Sequence, residues 1–480
     1  MLLLTPILVV PLVASLLCLL ARSRQVMEWF NVLAFATTLM LGVRLVQQVL
    51  ARNVVTEWNE FLYADALSVW MVLLISLVSL ASAIYAVGYL RHDLATGHLT
   101  AGRFREYHVL TPLFVFAMFL AVLANNLGIM WVALEATALA SVFLVALYNE
   151  KTSLEAAWKY IILGSVGLVL ALLGTILTYA SAAGLGTETL AGLNWSYLIT
   201  VADRLDPNII KLAFVFVLVG YGTKAGIAPM HTWLPDAHSE APAPTSAMLS
   251  GVYIKVALYG LLRFYILSIH CVRTDFSQHL LLAFGLLSMC VATPFILVQT
   301  NIKRLFAYHS VEHIGIICVG LGFYAPLAVF GAVLHIGYHA LVKSTLFFAS
   351  GNIHQTYRSL EMPSLGSGLL KTMPASSVLL AFAVTAIAGI PPSGMFFTEF
   401  SIVAGGMGAG QILASVVFVA ALVTVFAGLL NHAAHLLLGQ AERGVSRPET
   451  PRSGLAAMTL LMGALAVVSV WLPRPLFQLM

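Results

Sequence analysis

Apolar runs of about 20 residues recur along almost the whole chain, separated by short polar segments. A run of that length matches the hydrocarbon thickness that an α-helix must cross, whereas the strands of a membrane barrel are shorter and alternate. Only 9% of the residues are charged, against roughly 25% in soluble domains. The sequence therefore predicts an all-α polytopic membrane protein and excludes a soluble enzyme.

Hydrophobicity predicts about fourteen membrane spans in a single domain, residues 1–480. The first run has no basic segment before it, so we interpret it as a transmembrane helix and not as a cleaved signal. No loop is long enough to hold a soluble catalytic domain. The predicted spans are 2–21, 29–50, 66–89, 107–125, 127–148, 157–183, 208–230, 244–267, 278–298, 305–323, 326–350, 374–402, 409–438 and 454–472.

Lysine and arginine are distributed unevenly among the loops between these spans. Loops after odd-numbered spans carry thirteen of them, and the other loops with the C-terminal tail carry four. Because basic loops usually face the cytoplasm, we predict a bacterial inner-membrane protein with cytoplasmic odd loops and periplasmic termini. The thirteen are Arg22, Arg24, Arg91, Arg103, Arg105, Lys151, Lys303, Arg304, Arg358, Lys371, Arg443, Arg447 and Arg452, and the four are Arg52, Arg204, Arg273 and Arg474.

Proline and glycine interrupt the seventh and the twelfth predicted spans. The seventh contains Lys224-Ala-Gly-Ile-Ala-Pro229 and the twelfth contains Gly389-Ile-Pro-Pro-Ser-Gly394. Proline removes a backbone donor and clashes with the preceding turn, so each helix should break there. Broken backbone at membrane depth is tolerated only where protein surrounds it or where it lines a cavity.

The two breaks are five spans apart. A repeat of five helices re-enters the membrane upside down, which is the inverted-repeat plan of many transporters. We therefore predict a first repeat at about 107–267 and a second at about 278–438. The flanking helices lie within 1–89 and 454–472.

Ionisable side chains lie inside the predicted spans. A charge at a helix centre costs about 3 kcal/mol on insertion scales, so such residues usually serve a function. The charged residues are Glu135, Lys224, Lys255, Glu312, Lys343 and Glu399, and the histidines are His309, His313, His335, His339, His432 and His435.

The spacing of these groups favours proton transfer. His335, His339 and Lys343 are four residues apart and share one helix face. Histidine exchanges protons near neutral pH, and a row of such groups can pass protons on through water. For Glu135 and Lys224 we hypothesise a switch, in which pairing holds the lysine charged and separation releases its proton.

Structural interpretations of the same residues remain open. The row of His335, His339 and Lys343 is also compatible with hydrogen bonds that hold helices together, and Glu135 with an anchor between helices. His432 and His435 lie near a span end, where an interfacial role is equally suitable.

The sequence predicts no metal site and no cofactor. The four cysteines lie far apart and show no Cys/His zinc spacing, and no redox motif is present. His231 and His238 flank the first helix break, where a polar loop needs no ion.

Four segments resemble one family. The run Lys224-Ala-Gly-Ile-Ala-Pro-Met-His-Thr-Trp-Leu-Pro-Asp-Ala-His-Ser-Glu-Ala-Pro resembles the signature of the antiporter-like subunits of complex I, of multisubunit cation/proton antiporters and of membrane-bound hydrogenases. The segments around Lys255, around His339 and Lys343, and around Glu399 continue the resemblance. Among subfamilies, Ser310-Val-Glu-His-Ile-Gly-Ile is similar to hydrogenase-4 component F.

The resemblance implies two half-channels joined by a polar axis through the middle of the membrane. His309, Glu312, His313, His432 and His435 are possible additional relays. In the implied path, Glu135 modulates Lys224, Lys255 is the central relay, His335, His339 and Lys343 extend the axis, and Glu399 is the exit-side site.

The predicted function is proton translocation by one subunit of a complex I-like or group-4 hydrogenase complex. Energy would come from soluble redox subunits, which act through neighbouring membrane subunits. The alternatives are the membrane subunit of an inorganic-carbon uptake pump, a Na⁺/H⁺ antiporter subunit, and an inactive anchor. An anchor would gain stability by losing its intramembrane charges.

Overall fold

The computed structural model describes residues 2–185, 190–365, 368–438 and 451–479, which are almost entirely helical. Arg443 and Arg447, counted above among the basic loop residues, lie outside the described residues. The α-helices are α1 (Leu4–Leu20), α2 (Arg24–Arg52), α3 (Ala66–Ala95), α4 (Ala101–Leu123), α5 (Leu127–Val145), α6 (Lys151–Ala182), α7 (Trp195–Leu198), α8 (Pro207–Ala225), α9 (Trp233–Glu240), α10 (Ala243–Met248), α11 (Ile254–Val272), α12 (Phe276–Val298), α13 (Ile302–Phe323), α14 (Pro326–Tyr357), α15 (Leu369–Thr372), α16 (Pro374–Ile387), α17 (Gly394–Gly408), α18 (Ile412–Leu438), α19 (Arg452–Val470) and α20 (Arg474–Leu479).

Several shorter elements connect these helices. Two strands, β1 (Val55–Glu57) and β2 (Leu62–Ala64), form an antiparallel hairpin that the sequence did not predict. Each strand has three residues, too few to produce a recognisable alternation of apolar and polar residues. A π-helical segment, Leu249–Tyr253, joins α10 to α11, and 3₁₀ turns occupy Leu190–Leu193, Ala202–Arg204 and Met362–Ser364.

The prediction of a helical multi-pass membrane protein is confirmed. Within the described residues, twelve helical segments are long and apolar enough to cross a membrane, with α10, the π-helical segment and α11 counted as one. The helices α1 and α16 are apolar but shorter. The count of fourteen spans and the division into two repeats stay predictions.

Burial varies from helix to helix. The most hydrophobic stretch of α13 is buried along its whole length, and α10–α11 and α14 are also largely buried. In contrast, α2, α6, α12, α18 and α19 turn most of their surface outward, where leucine, valine and phenylalanine side chains are exposed. Seven of the twelve ionisable residues inside the predicted spans lie on α11, α13 and α14, so the outer helices separate them from lipid.

Glycine allows two pairs of helices to come into close contact. A Cβ atom added to Gly220 of α8 would lie 2.6 Å from the carbonyl oxygen of Gly167 in α6. Similarly, a Cβ on Gly315 of α13 would lie 2.7 Å from the carbonyl oxygen of Gly285 in α12. Membrane helices gain little from burying apolar surface against each other, so backbone approach of this kind is a main source of their association.

The first predicted break occurs at the end of α8. The helix stops at Ala225 and Gly226 adopts φ of 82°, which glycine accepts without steric cost. Side chains then satisfy the freed backbone groups: Trp233 Nε1 donates to the Thr223 carbonyl at 2.7 Å, and Ser288 Oγ accepts from Ala228 N at 2.9 Å. The backbone groups freed at the break are therefore hydrogen-bonded within the protein, as a break at membrane depth requires.

Basic residues hold the short helix α9 that follows. Asp236 lies 3.1 Å from Lys159 Nζ and 2.8 Å from Arg304 Nη1. At the other end of α9, Lys303 Nζ donates to the carbonyls of Ser239 and Ala241 at 3.1 and 2.6 Å. A cation at these carbonyls also complements the helix dipole.

The second predicted break separates α16 from α17. Gly389 has φ of 66°, and Ser393 accepts from Phe396 N at 3.3 Å to cap α17. A Cβ atom at Gly389 would lie 2.3 Å from Glu399 Oε2. The break therefore brings a glycine backbone directly against the carboxylate of α17.

An ion pair connects the start of α3 to α11. Arg263 donates through Nη1 and Nη2 to the two oxygens of Asp65, at 2.6 and 2.8 Å, and Asp65 also caps α3 through Ser68 N. Burial raises the pKa of Asp65, but the Arg263 guanidinium and the capping bonds outweigh that effect and hold the pKa below its usual range. Arg263 is almost fully buried, so its charge depends on this partner.

Asp65→Asn keeps a capping acceptor but leaves the Arg263 charge without its counter-ion, which should destabilise the protein by roughly 3 kcal/mol. Because the folded-state pKa lies below the usual value of about 3.9, the stabilisation is present above that pH and is lost as the pH falls through the folded-state pKa. Thermal unfolding in detergent as a function of pH measures both effects.

Glu155→Gln is the matched control, because Glu155 pairs with Lys159 at the exposed surface. It should hardly change the unfolding temperature. Equal losses in the two variants would show that Asp65 has no special role.

Candidate functional site

Lys224 lies at the end of α8 in a buried aromatic pocket. Its Nζ is 5.4 Å from the ring centre of Tyr160 and 6.0 Å from that of Tyr253, and its side chain is 1% exposed. No described residue accepts a hydrogen bond from this ammonium group. Burial removes the water that stabilises an ammonium group, and here the faces of the two tyrosine rings compensate for part of that loss.

Glu135 of α5 lies close enough to attract Lys224 electrostatically but does not form an ion pair with it. Its Oε1 instead accepts a hydrogen bond of 3.0 Å from Ser165 of α6, and the side chain is half-buried. The preceding residue, Gly164, faces the lysine, and a Cβ there would lie 2.9 Å from Lys224 Nζ. The carboxylate and the ammonium group are therefore apart in this structure, and the hypothesised switch stays a prediction.

A chain of polar groups joins Lys255 of α11 to Lys343 of α14. Lys255 Nζ donates to the Ser250 carbonyl within the π-helical segment, and Ser250 Oγ lies 2.8 Å from Ser310 Oγ. Ser310 and Lys343 both donate to the Phe306 carbonyl, at 3.1 and 2.5 Å. Both lysines are buried, so this serine pair is a polar connection between two ammonium groups inside the membrane.

Four buried histidines continue from Lys343. The His313 and His335 rings are hydrogen-bonded, with 2.9 Å between Nδ1 and Nε2, and His335 Nδ1 lies 2.8 Å from Thr398 Oγ1. The ring centres of His309 and His339 lie 5.7 and 4.9 Å from that of His313. Helices α13 and α14, which pack side by side, thus bring the four histidines together.

Two carboxylates accompany the histidines. Glu312 Oε2 lies 3.0 Å from His309 Nδ1, and Glu312 interacts electrostatically with both Lys343 and Glu399. Glu399 of α17 is 8% exposed, and one of its oxygens lies within 4.8 Å of ligand atoms of His313 and His335. Glu312 therefore lies between a buried cation and a second buried carboxyl group.

A cavity of about 390 Å³ opens beside this cluster, and His309, Glu312, His313 and Glu399 line it. Apolar residues of α18 form the opposite wall. A second cavity, about 370 Å³, lies at the end of α18 against residues 299–300 and 362–363. A small pocket of about 10 Å³ along α18, here called the constriction, shares Leu429 with the first cavity and His432 and Leu436 with the second.

His432 and His435 lie at the outer of these two cavities and not in the central row. His432 Nε2 is 3.2 Å from the Ile296 carbonyl, and His435 is exposed. His432 also borders the constriction, and it interacts electrostatically with His309. Both residues therefore lie apart from the central row, and their role stays a prediction.

Some polar groups of the row could not be identified from residue type alone. Ser250, Ser310 and Thr398 are common helix residues, and the Phe306 carbonyl carries no sequence signal. Ser310 lies next to the predicted charged positions, which is the only available indication.

His231 and His238 are buried near the first break, and neither belongs to the potential ligand groups found among the described residues.

Comparison with known proteins identifies the family. The family described as NADH:quinone oxidoreductase/Mrp antiporter, TM, matches residues 124–424, and that described as NADH-Ubiquinone oxidoreductase (complex I), chain 5 N-terminus, matches residues 59–97. The chain belongs to this antiporter-like family. All members of the buried row from Glu135 to Glu399 lie within the first match.

Individual relatives agree with this assignment. The chain is 40% identical over 390 residues to "Hydrogenase-4 component F homolog" of Methylacidiphilum infernorum, covering 81% of each chain, and this confirms the subfamily resemblance. It is 26% identical over 492 residues to a Na⁺/H⁺ antiporter subunit of Alkalihalophilus pseudofirmus, covering 98% of this chain and 94% of the relative. A subunit of an archaeal membrane-bound sulfane sulfur reductase has the same fold, with TM-score 0.87 and 23% identity over 99% of this chain and 95% of that one.

Gly164→Ala tests the position of Lys224 without changing any charge. The added methyl group would lie 2.9 Å from Nζ and 3.1 Å from Cε, so the ammonium group must move. A forced rotamer costs about 1 kcal/mol, which corresponds to roughly a fivefold fall in proton translocation by membrane vesicles. Gly463→Ala on α19, where a Cβ meets nothing within 4 Å, should leave translocation unchanged.

Ser310→Ala removes the hydroxyl between the two lysines. We expect a fall in proton translocation of roughly tenfold, because Ser250 Oγ loses its partner and the polar connection is interrupted. Ser268→Ala is the control, since Ser268 and Ser277 form a similar buried pair outside the row. If both variants translocate protons like the unmodified protein, the serine bridge is not part of the path.

Proposed function

We propose that this chain moves protons across the membrane as one subunit of a complex I-like or group-4 hydrogenase complex. Family membership supports the assignment to antiporter-like membrane subunits, and the buried row of ionisable groups supports the proton as the transported ion. Soluble redox subunits would supply the energy through neighbouring membrane subunits, since the sequence carries no redox motif of its own.

The observation that carries this proposal is the continuity of the central row. Two buried lysines share a serine bridge, and four histidines follow them within hydrogen-bond or ring contact. A structural anchor gains nothing from such groups, because each charge at membrane depth costs about 3 kcal/mol. Proton transfer requires a series of neighbouring groups that alternately bind and release a proton.

Two carboxylate–lysine couples flank Lys255 and give the row a means of control. Glu135 acts electrostatically on Lys224, and Glu312 acts in the same way on Lys343. Moving either carboxylate toward its lysine favours the charged form, and moving it away favours proton release. Glu312 is therefore proposed as a second modulator, a role that the sequence left open.

Protons fit the row better than sodium does. Sodium requires several oxygen ligands, whereas the centre of this row consists of ammonium and imidazole groups. Lys255 and Lys343, whenever they are protonated, would repel a metal cation from the central segment. The Na⁺/H⁺ alternative predicts that activity depends on sodium, and vesicle assays with and without sodium distinguish the two.

The cavities along α18 indicate where protons reach the distal end. Their outer mouth lies against residues 299–300 and 362–363, which belong to loops after odd-numbered spans. Those loops are rich in Lys and Arg, so we propose that this half-channel faces the cytoplasm of a bacterial inner membrane. Both termini would then lie in the periplasm.

Replacing the buried charges tests the path. In vesicles that contain the assembled complex, Lys224→Ala, Lys255→Ala and Glu399→Gln should each lower proton translocation by at least about tenfold, because each removes a group that holds the transferred proton. Fluorescence quenching of a pH-gradient dye measures the rate, and a detergent gel measures assembly.

Lys211→Ala is the control, because Lys211 lies near the start of α8 over the Phe276 ring and outside the row. It should leave both translocation and assembly unchanged. Normal translocation in all three path variants, with normal assembly, would instead favour the anchor interpretation.

A further inference from the structure

The distal cluster has the composition of a metal-binding site. His309, Glu312 and His313 form one group whose ligand atoms lie within 4.8 Å of one another, and His313, His335 and Glu399 form a second. Imidazole and carboxylate are ligands that Zn²⁺ accepts. Four of the five side chains, all except His335, line the cavity of about 390 Å³ beside α18.

Several polar atoms of this cluster are not used by the protein itself. Within the described residues, Nε2 of His309 and Nε2 of His313 are buried without a hydrogen-bond partner. Glu312 Oε2 makes no aligned hydrogen bond either and only faces His309 Nδ1 at 3.0 Å. All three side chains are at most 2% exposed. A buried polar atom without a partner is costly, and three of them beside one cavity indicate a place for a ligand that accepts their lone pairs.

Helix geometry presents these atoms together. His309 and His313 are four residues apart on α13, which is the spacing by which a helix offers two imidazoles to one Zn²⁺. Glu312 lies beside them, and Glu399 reaches the same cavity from α17. The other nitrogen of His313 is held by His335, which is bonded in turn to Thr398. Such a second contact fixes the orientation of a metal-bound histidine.

From this arrangement we propose that the cluster binds one divalent transition-metal cation of the Zn²⁺ type, with His309, Glu312 and His313 as ligands, Glu399 as a fourth ligand from the adjoining group, and His335 as a positioning residue. Tetrahedral Zn²⁺ holds its nitrogen and oxygen ligands about 3.4 Å apart, so the first three side chains must close around the ion and Glu399 must move further toward it. The cavity provides the space for that movement.

We infer that the ion enters along α18. The outer cavity carries His432 and His435, and the constriction shares His432 with that cavity and Leu429 with the inner one. A cation can therefore enter from the aqueous side through groups that bind it weakly. Further inward lie Lys255 and Lys343, whose positive charge, when they are protonated, opposes movement of the cation beyond the cluster. The route of the ion therefore ends at the cluster.

Equilibrium dialysis with radioactive Zn²⁺ tests the proposal on the full-length chain purified with its co-assembled subunits. The measurements use a Cys290→Ser background, because Cys290 is an exposed free thiol and thiols are common zinc ligands. We expect one saturable site per chain. His309→Gln and His313→Gln should weaken binding by more than about tenfold, and His335→Gln by roughly tenfold.

His238→Gln is the matched control, since His238 is a fully buried histidine whose two nitrogens also have no described partner. It should bind Zn²⁺ like the background protein. Unchanged binding in both ligand variants, or an equal loss in His238→Gln, would overturn the proposal.

X-ray absorption at the zinc edge can be measured with all residues of the cluster unsubstituted, so this test does not require any cluster variant to fold. We expect two imidazole ligands and oxygen ligands in the remaining positions. A spectrum without imidazole scattering, or one dominated by sulfur, would contradict the assignment.

Inhibition of proton translocation by Zn²⁺ is a separate consequence that rests on the proposed function. If Zn²⁺ binds at the cluster and translocation stops, the cluster is both a metal site and part of the path. If Zn²⁺ binds there and translocation continues, the metal site stands and the path does not pass through the cluster.

Discussion

The free energy of placing ionised groups away from water determines the arrangement of this molecule. Three lysines and two glutamates of the row are buried on α8, α11, α13, α14 and α17, and each such charge costs several kcal/mol unless protein dipoles replace its hydration. The outer helices supply the apolar cover, and the helix breaks and carbonyl groups supply the dipoles. The fold can therefore be understood as a shell of ordinary membrane helices around a small number of polar ones.

Much of the fold follows from local sequence patterns. Long apolar runs predict helices because lipid leaves the backbone no external partner, and each predicted span has a helix or a helix pair in the structure. Pro229 and Gly389 correctly indicate the two breaks, since proline and positive φ act on the backbone at the residue itself. The charged positions are equally visible, because a lysine or glutamate stands out in an apolar run.

The connections between those positions are not visible in the sequence. Ser250 meets Ser310 only because α10–α11 and α13 pack together, and the π-helical turn that presents Ser250 has no distinctive residues. Glu135 accepts a hydrogen bond from Ser165 and acts on Lys224 only electrostatically, because the register of α5 against α6 decides which group is in hydrogen-bonding reach. Contacts of this kind depend on tertiary packing, which residue spacing along one helix does not specify.

Glu135 differs from every other acidic member of the row in being only half-buried within the chain. Part of this carboxylate is therefore accessible to whatever surface lies against α5. A neighbour that presents a dipole or a charge there changes the field at Lys224 without touching that lysine. The electrostatic environment of Lys224 therefore depends in part on what adjoins this face of α5, outside the polypeptide itself.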